Sequence, residues 1–357
     1  MGLRGVWSVL SASAALAGCA TLAEGGGGDQ DLPNASAGPF RKITAAELGN
    51  LRSAPNALDS DETFPRDAAV LDADGDPATL PCFAYVAATL VPEGQKASSA
   101  APPNAIVRYG ALDARSFDRA PVTVLEPARS WEKGTVGAPS VLRVGAEVLL
   151  YYAAGGGIGL ARSPEGETFT AEPEPVLAPV AGGWEAGVAP ASPGVVRLAD
   201  GSFRMFYEAG AAIGEAASSD GVAWTRIGTA PALAPSAPGA ADAYDDAAVG
   251  SPFPLLAASE EGRPILRLYY GARNRDGQGV IALAAHFGTD GPFVRAVSPV
   301  FGTTDTLGAR EPWVTVHDGF TLLFATQRAG RSEAQDHPAI AAGVAPAQLT
   351  LPPPDPR

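Results

Sequence analysis

Two acidic residues occupy equivalent places in a repeated sequence pattern, and each directly follows an arginine. Asp67 follows Arg66 in the first repeat, and Glu311 follows Arg310 in the last. A third acid, Glu208, ends a short apolar run. Carboxyl groups that lie close together can exchange protons with a bound ligand, whereas a carboxyl beside a guanidinium can simply form an ion pair. Asp67 could therefore act on a ligand or form an ion pair with Arg310. Glu311 could likewise act on a ligand or form an ion pair with Arg66.

Other polar and aromatic side chains stand in the segments that connect the apolar runs. Arg273, Asn274 and Arg328 each follow such a run, and Trp131 and Trp184 each precede an acid. Guanidinium, amide and aromatic groups together suit a polyhydroxylated ligand, because they combine hydrogen bonding with stacking. We take these five, together with Arg66 and Arg310, as candidate substrate-binding residues. For the two tryptophans the alternative is a structural role, since aromatic residues that recur in register also pack successive units together.

The elements that must position these residues come from a repeat. Each unit contains a small residue before proline, an apolar run, a glycine turn and further short apolar runs, most clearly between Ser130 and Leu177. The prolines at 139, 193, 252 and 312 recur at intervals of 54, 59 and 60 residues. The runs are too short for helices and rich in Val, Leu and Tyr, which indicates β-strands. Five such units predict an all-β fold, a five-bladed β-propeller with four-stranded antiparallel blades.

Closure of this ring decides which side chains meet. The residue before each repeated proline position should lie at the mouth of the central channel, and it is an acid in the first unit (Asp67) and in the last (Glu311). Because ring closure makes the first and last blades neighbours, we expect these two carboxyls side by side. The opposite face should carry tight Asp-Gly turns, where aspartate is a turn residue.

The order of the motifs resembles that of a known family. Residues 138–142 (Ala-Pro-Ser-Val-Leu), Tyr151-Tyr152, residues 158–161 (Ile-Gly-Leu-Ala) and residues 175–177 (Pro-Val-Leu) are similar to motifs of the five-bladed propeller glycoside hydrolases. That clan includes arabinanases, β-xylosidases, invertases, levansucrases and the related mannoside phosphorylases. The resemblance covers roughly residues 62–345.

The resemblance implies roles for the acids. The clan uses an acid at the start of the first inner strand as base or nucleophile, which is Asp67 here. Its other acids come from middle blades, where this chain has Ala138, Ser192 and Ser251, so Glu208 or Glu311 would donate the proton. We therefore expect glycan binding, and glycoside hydrolysis by paired carboxylates stays open as an additional activity. The alternative is a non-catalytic propeller scaffold that binds a protein or a component of the cell envelope.

The N-terminal segment predicts export and anchoring. Residues 1–18 have an early arginine and an apolar core, as in a signal peptide, and the ending Leu16-Ala17-Gly18-Cys19 resembles the lipobox of bacterial lipoproteins. The resemblance implies lipidation of Cys19 and a place in the bacterial cell envelope, at the outer membrane. Residues 19–60 are expected to be a flexible tether, 61–346 the propeller, and 347–357 a Pro-rich tail.

The charge restricts the partners. The formal net charge is −14 and no cluster of Lys and Arg occurs, which excludes nucleic acid as the expected ligand. The three histidines are scattered without metal-ligand spacing and no cofactor motif is present, so no metal or cofactor is expected. The expected partner is a glycan or oligosaccharide, with membrane contact through the lipid anchor only, and the chain is expected to be a monomer.

Overall fold

The computed structural model describes most of the predicted propeller. The described residues are 35–44, 46–48, 56–60, 63–71, 82–92, 95, 98, 100–111, 117, 121–238, 243–259, 262–302, 308–317, 320–329 and 337–345. The predicted signal peptide, Cys19 and the Pro-rich tail lie outside them. Within these ranges, no helix has the length and apolar character needed to cross a membrane.

The described strands form five antiparallel sheets of four strands each, which confirms the predicted five-bladed propeller. Blades 1 to 4 follow the chain in order, each beginning with its innermost strand. Blade 1 contains β2 (Arg66–Leu71), β3 (Cys82–Ala88), β4 (Ala105–Ala111) and β5 (Val122–Leu125); blade 2 contains β6 (Gly137–Val144), β7 (Glu147–Ala154), β8 (Gly157–Ser163) and β9 (Thr170–Ala171); blade 3 contains β10 (Ala191–Arg197), β11 (Phe203–Ala209), β12 (Ala212–Ser218) and β13 (Thr225–Arg226); blade 4 contains β14 (Ala248–Ala258), β15 (Pro264–Arg273), β16 (Gly279–Phe287) and β17 (Val294–Arg295).

Blade 5 combines the two ends of the described chain. Its strands β18 (Ala309–His317), β19 (Phe320–Ala329) and β20 (His337–Ala345) are joined by β1 (Arg41–Lys42), which pairs antiparallel with β20. The flexible tether predicted over residues 19–60 is therefore wrong for this part of the segment. The physical reason is that two strongly apolar side chains here, Phe40 and Ile43, are buried against the last blade, while β1 covers its open sheet edge.

Polar contacts fix the same N-terminal segment. The Arg41 guanidinium lies 2.6 Å from the carboxylate of Glu47, and the backbone N–H of Thr44 donates to that carboxylate at 2.9 Å. The ammonium group of Lys42 donates to Gln327 Oε1 at 2.6 Å. The spacing of Thr44 and Glu47 suits a helix cap, but in the described residues it stabilises a turn.

Aromatic pairs join neighbouring blades all the way round the ring. In each pair an aromatic residue on the second strand of one blade meets, edge to face, an aromatic residue that precedes the outer strand of the next blade. The ring centroids are 5.6–6.2 Å apart, and such pairs stabilise beyond their burial by about 0.5–1.5 kcal/mol each. The pairs are Tyr85–Phe169, Tyr151–Trp224, Phe206–Phe293, Tyr269–Phe40 and Phe324–Phe117. Because the fourth pair uses Phe40, the N-terminal segment is part of the ring.

In three of the loops between blades, an acid directly follows an aromatic residue. Each of these acids is buried beneath its loop. It accepts a hydrogen bond of 2.8–3.0 Å from a tyrosine hydroxyl of the second strand. It also forms an ion pair of 2.7–3.3 Å with an arginine. The three sets are Glu132 with Tyr152 and Arg129, Glu185 with Tyr207 and Arg226, and Asp245 with Tyr270 and Arg295. These acids are thus engaged in holding loops to blades.

Candidate functional site

All five innermost strands begin with the same backbone distortion. In each, two residues of the inner strand face one residue of its neighbour, which is a β-bulge, and the first of the two has a φ between 45° and 60°. Residues other than glycine rarely adopt this left-handed conformation. The five residues are Asp67, Ala138, Ser192, Ser251 and Glu311. They are the five positions that the repeat places at the mouth of the channel.

These residues line one cavity at the centre of the ring. Each contributes together with the residue that follows it, and Phe253 and Trp313 complete the lining. The cavity has about 320 Å³ of free space, part of it open to solvent. The ring centroids of Phe253 and Trp313 lie 4.5 Å apart, and both side chains are buried. We refer to this cavity and its rim as the mouth.

Asp67 and Glu311 form a carboxyl pair in the mouth. Their side chains are hydrogen-bonded to each other, and the backbone N–H of Asp67 lies 3.3 Å from Glu311 Oε2. Thr326 Oγ1 accepts a second bond from that N–H at 2.9 Å. The pair joins blade 1 to blade 5, as ring closure predicts. Among the described residues neither acid forms an ion pair with an arginine, so the expected pairing with Arg310 or Arg66 is replaced by pairing between the two acids.

The environment holds a proton on this pair. Burial raises the pKa of Asp67 well above its usual range, and the Glu311 carboxyl raises it further by its charge and its hydrogen bond. The positive charges of Arg66 and Arg310 lower the pKa of Asp67, but less than the other effects raise it. Two carboxyls in hydrogen-bond contact cannot both ionise readily, because their negative charges repel each other. Asp67 therefore keeps its proton to higher pH than an isolated aspartate does.

Glu208 brings a third carboxyl to the rim of the mouth, from blade 3. It lies at the end of β11 in blade 3, and its Oε2 accepts a 3.0 Å hydrogen bond from the backbone N–H of Ser251 in blade 4. A Cβ added at Gly250 would stand 2.3 Å from that oxygen, so only glycine leaves room for the carboxyl. Burial raises the pKa of Glu208, against the lowering effect of the Ser251 hydrogen bonds. Glu208 thus supplies a carboxyl next to a mouth position that itself carries none.

The candidate binding residues differ in how exposed they are and in which groups they contact. Arg310 and Arg273 are exposed at the end of the blades that carries the mouth, and Arg66 is half-buried, within 3.4 Å of Thr89 Oγ1. Asn274 lies in the turn after β15, where its Oδ1 accepts a bond from the backbone N–H of Gln278 at 3.0 Å. For Arg328 only the backbone in β19 is described.

The two candidate tryptophans pack against the blades and do not line the cavity. Trp131 stacks on Tyr152 with centroids 6.0 Å apart, and its indole N–H donates to the carbonyl of Pro173 at 2.9 Å. Trp184 packs on the core between blades 2 and 3. Their ring faces are thus engaged in packing, as the structural alternative predicts.

Three contributors to the mouth escaped the sequence analysis. Trp313 lies two residues after Glu311, and its buried indole N–H has no acceptor among the described residues. Thr326 and Gly250 hold the backbone of Asp67 and the carboxyl of Glu208 in place. Trp313 could have been found, because it shares its position in the repeat with Phe253. No sequence signal marks the other two, since their roles depend on a neighbouring blade.

Within the described ranges, no group of three or more His, Cys, Asp and Glu side chains is arranged to hold a metal ion.

Comparison with known proteins places the fold. No family model and no curated protein matches the chain in sequence. An α-L-arabinofuranosidase from Lactobacillus brevis matches in structure with a TM-score of 0.58 at 11% identity, over 80% of this chain and 92% of that one. An endo-1,4-β-xylanase from Bacteroides thetaiotaomicron gives 0.56 at 16% identity, over 79% and 92%.

A third similar structure contains a sugar. It is a GH43 β-xylosidase/α-arabinofuranosidase from a compost microbial metagenome in complex with xylotriose, with a TM-score of 0.53 at 15% identity, over 82% of this chain and 94% of that one. At such identities the likeness concerns architecture alone. The chain has the five-bladed propeller fold of GH43-type glycoside hydrolases.

Proposed function

We propose that the protein binds an oligosaccharide at the mouth. The observation that carries this proposal is the arrangement of three partly buried carboxyls. Asp67 of blade 1 and Glu311 of blade 5 line the open cavity, and Glu208 of blade 3 contacts its wall at Ser251. Sugar hydroxyls hydrogen-bond to carboxyls and stack on aromatic rings, and a site of this composition suits them. The buried N–H of Trp313 would donate to a ligand oxygen.

Binding is tested by isothermal titration calorimetry with arabino-, xylo-, fructo- and manno-oligosaccharides. The unaltered protein should bind at least one of them, and Asp67→Ala should weaken that affinity about tenfold or more, the usual cost of losing a hydrogen bond to a charged group. Asp200→Ala is the matched control, because Asp200 is exposed in a tight turn on the opposite face. Equal affinities of both variants, or no binding to any sugar, would favour the scaffold alternative.

A second candidate function, glycoside hydrolysis, is favoured by the state of the acids. Burial raises the pKa of Glu208, which suits a proton donor. A pair that holds one proton still carries one negative charge, so Asp67 with Glu311 would supply the base or nucleophile. The two members of the pair are too close to act as opposed catalysts, which require about 5 Å or more between carboxyls. Glu208 is therefore the partner of the pair in this proposal.

Hydrolysis is measured as release of reducing sugar from the oligosaccharide that binds. Glu208→Gln should lower kcat by about 10²–10⁴-fold while affinity changes little, because a general acid acts in the transition state. Glu172→Gln, an exposed ion-pair member outside the mouth, is the control. Activity retained in Glu208→Gln would remove this residue from the mechanism, and binding without any turnover would leave a binding protein.

We also propose that Cys19 anchors the protein to the outer membrane by a lipid. The support is the lipobox-like ending and the geometry of the first described residues. Ala35 accepts a bond from Arg267 near the start of β15, and Ser36 donates to Thr321 beside the β18–β19 turn, both at the face opposite the mouth. A chain entering at this face would present the mouth away from the membrane, on a spacer of residues 20–34 that reaches roughly 50 Å at most.

Mass spectrometry of the membrane fraction tests the anchor. The mature protein should begin at a diacylated Cys19, and Cys19→Ser should release it. The chain has two cysteines, and the second, Cys82, lies in β3, away from the lipobox-like segment. A mature protein whose Cys19 carries no lipid, or a Cys19→Ser protein that stays in the membrane fraction, would overturn the proposal.

A further inference from the structure

Two arginines at the rim of the mouth have no protein partner. Arg273 at the end of β15 and Arg310 at the start of β18 are both exposed, and within the described residues neither guanidinium makes a hydrogen bond or ion pair. Most other described arginines are engaged with acids. Those with ion pairs are Arg41, Arg108, Arg129, Arg162, Arg204, Arg226, Arg275 and Arg295. Arg143, which is half-buried, also lacks an ion pair within these residues. Arg273 and Arg310 differ from it because they are exposed beside the mouth, in a chain with an excess of acids.

The two arginines border the same cleft, Arg273 from blade 4 and Arg310 from blade 5. Arg273 is directly opposite Gly279 in the β15–β16 register, so both positions face the same way from the sheet. A Cβ at Gly279 would stand 3.8 Å from Cγ of Arg310, and one at Gly271 would stand 3.8 Å from the Cα of Arg310. The face of blade 4 that carries Arg273 is therefore the face against which Arg310 lies.

Glycine keeps this cleft open and acids border it. Gly271 and Gly279 carry no side chain where blade 4 approaches Arg310, and Gly250, paired with Gly271, adjoins the carboxyl of Glu208. The charge of Arg310 lowers the pKa of both Glu208 and Asp67 without contacting either as an ion pair. Two positive groups that border one cleft repel each other, and an anion between them would accept charge-assisted hydrogen bonds from both.

We propose that Arg273 and Arg310 form a subsite for the carboxylate of a uronic acid residue, so that the glycan bound at the mouth is acidic. This inference rests on the proposed function and specifies its substrate class. The sugar ring would lie over the mouth acids, with its carboxylate directed toward blade 4. The guanidinium fork matches the two oxygens of a carboxylate, which a hydroxyl of a neutral sugar does not.

The experiment compares trigalacturonate with its methyl ester, which has the same sugar rings without the charge, by calorimetry at fixed salt. The protein should bind the uronate at least about tenfold more tightly than the ester. Arg273→Ala and Arg310→Ala should each reduce that preference about tenfold while affinity for the ester stays within twofold. Arg275→Ala is the matched control, because Arg275 has the same charge on the same loop but pairs with Asp246.

The outcomes separate this inference from the proposed function. Equal binding of uronate and ester, or an equal loss of preference in Arg275→Ala, would overturn the subsite. Tighter binding of a sulfated neutral trisaccharide than of trigalacturonate would overturn the assignment to a carboxylate. If neutral oligosaccharides bind in an Asp67-dependent way while the uronate gains nothing, the mouth still binds glycans and only the acidic subsite fails.

Discussion

Five residues other than glycine adopt a left-handed backbone conformation at the mouth, and two of them are acids. Such conformations cost on the order of 1–3 kcal/mol each and persist only where the surroundings enforce them. Here the enforcing element is the bulge that starts every inner strand. It brings Asp67 and Glu311 into hydrogen-bond contact at a place where ionisation of both is unfavourable. The site is thus maintained against the preferences of its own residues.

Neutralising Asp67 should stabilise the protein at neutral pH. Because the folded state raises the pKa of Asp67, it binds this proton more tightly than the unfolded chain, and this stability is lost as pH rises through the folded pKa. Asp67→Asn should therefore raise the unfolding free energy at pH 7 by roughly 0.5–2 kcal/mol, with a smaller gain near pH 4. Thermal unfolding of both proteins at pH 7 and near pH 4 measures this gain in unfolding free energy.

The control substitution should change the unfolding free energy at pH 7 in the opposite direction. The hydroxyl and N–H of Ser202 lower the pKa of Asp200, so Asp200 contributes stability that is lost as pH falls through its folded pKa. Asp200→Asn should destabilise the protein at pH 7 and converge with the parent in acid. If Asp67→Asn also destabilises at pH 7 and converges in acid, the proton-sharing pair is wrong.

Gly250→Ala tests how the third carboxyl is placed. The added methyl would stand 2.3 Å from Glu208 Oε2 and displace the carboxyl from the N–H of Ser251. We expect oligosaccharide turnover or affinity to fall at least about tenfold, measured beside circular dichroism to check the fold. Gly182→Ala, whose Cβ meets nothing within 4 Å, is the control. Unchanged function in Gly250→Ala would show that Glu208 need not sit there.

Sequence reasoning could locate two of the three mouth acids. Asp67 and Glu311 share a position in the repeat, and closure of the ring makes them adjacent. The sequence identifies Glu208 as a candidate acid, but it does not predict the contact that its carboxyl makes, because that carboxyl reaches from blade 3 to blade 4. Such a crossing depends on the packing angle of two sheets, which periodicity does not encode.

At the scale of elements, the acids beneath the inter-blade loops stabilise the fold. Glu185 is buried and accepts hydrogen bonds from Tyr207 and Arg226. Glu185→Gln removes one charge of a buried pair and should cost roughly 3 kcal/mol or more of unfolding free energy. In the exposed pair of Glu172 with Arg162, the same substitution should cost at most about 1 kcal/mol. Denaturant titration compares the two, and equal costs would contradict the structural role.

The N-terminal strand gives a second prediction at this scale. Phe40 is buried and meets the ring of Tyr269 edge to face. Phe40→Ala should therefore cost about 3–5 kcal/mol, whereas Phe287→Ala, at a ring that is 60% exposed, should stay within about 0.5 kcal/mol. A Phe40→Ala protein as stable as its parent would mean that the segment is the flexible tether that its composition suggests.

The molecule as a whole is a ring whose number of blades follows from the sequence repeat. The repeat gives blade count, strand order and the mouth positions, because each unit has the same turns and apolar runs. It does not give the closing strand, since Arg41–Lys42 is only two residues long and lies in polar, glycine-rich surroundings. Closure by the N-terminal segment joins the two chain ends in blade 5, next to the blade that carries Asp67.

The central claim is that this closure brings Asp67 and Glu311 together as one proton-sharing, ligand-binding pair. Carbon-13 NMR titration of the side-chain carboxyls, with and without the bound oligosaccharide, tests it most directly. We predict that Asp67 titrates well above an ordinary aspartate, that Glu311→Gln changes its titration, and that the sugar shifts both resonances. An Asp67 carboxyl that titrates in the ordinary range, unaffected by Glu311→Gln and by the sugar, would contradict the account.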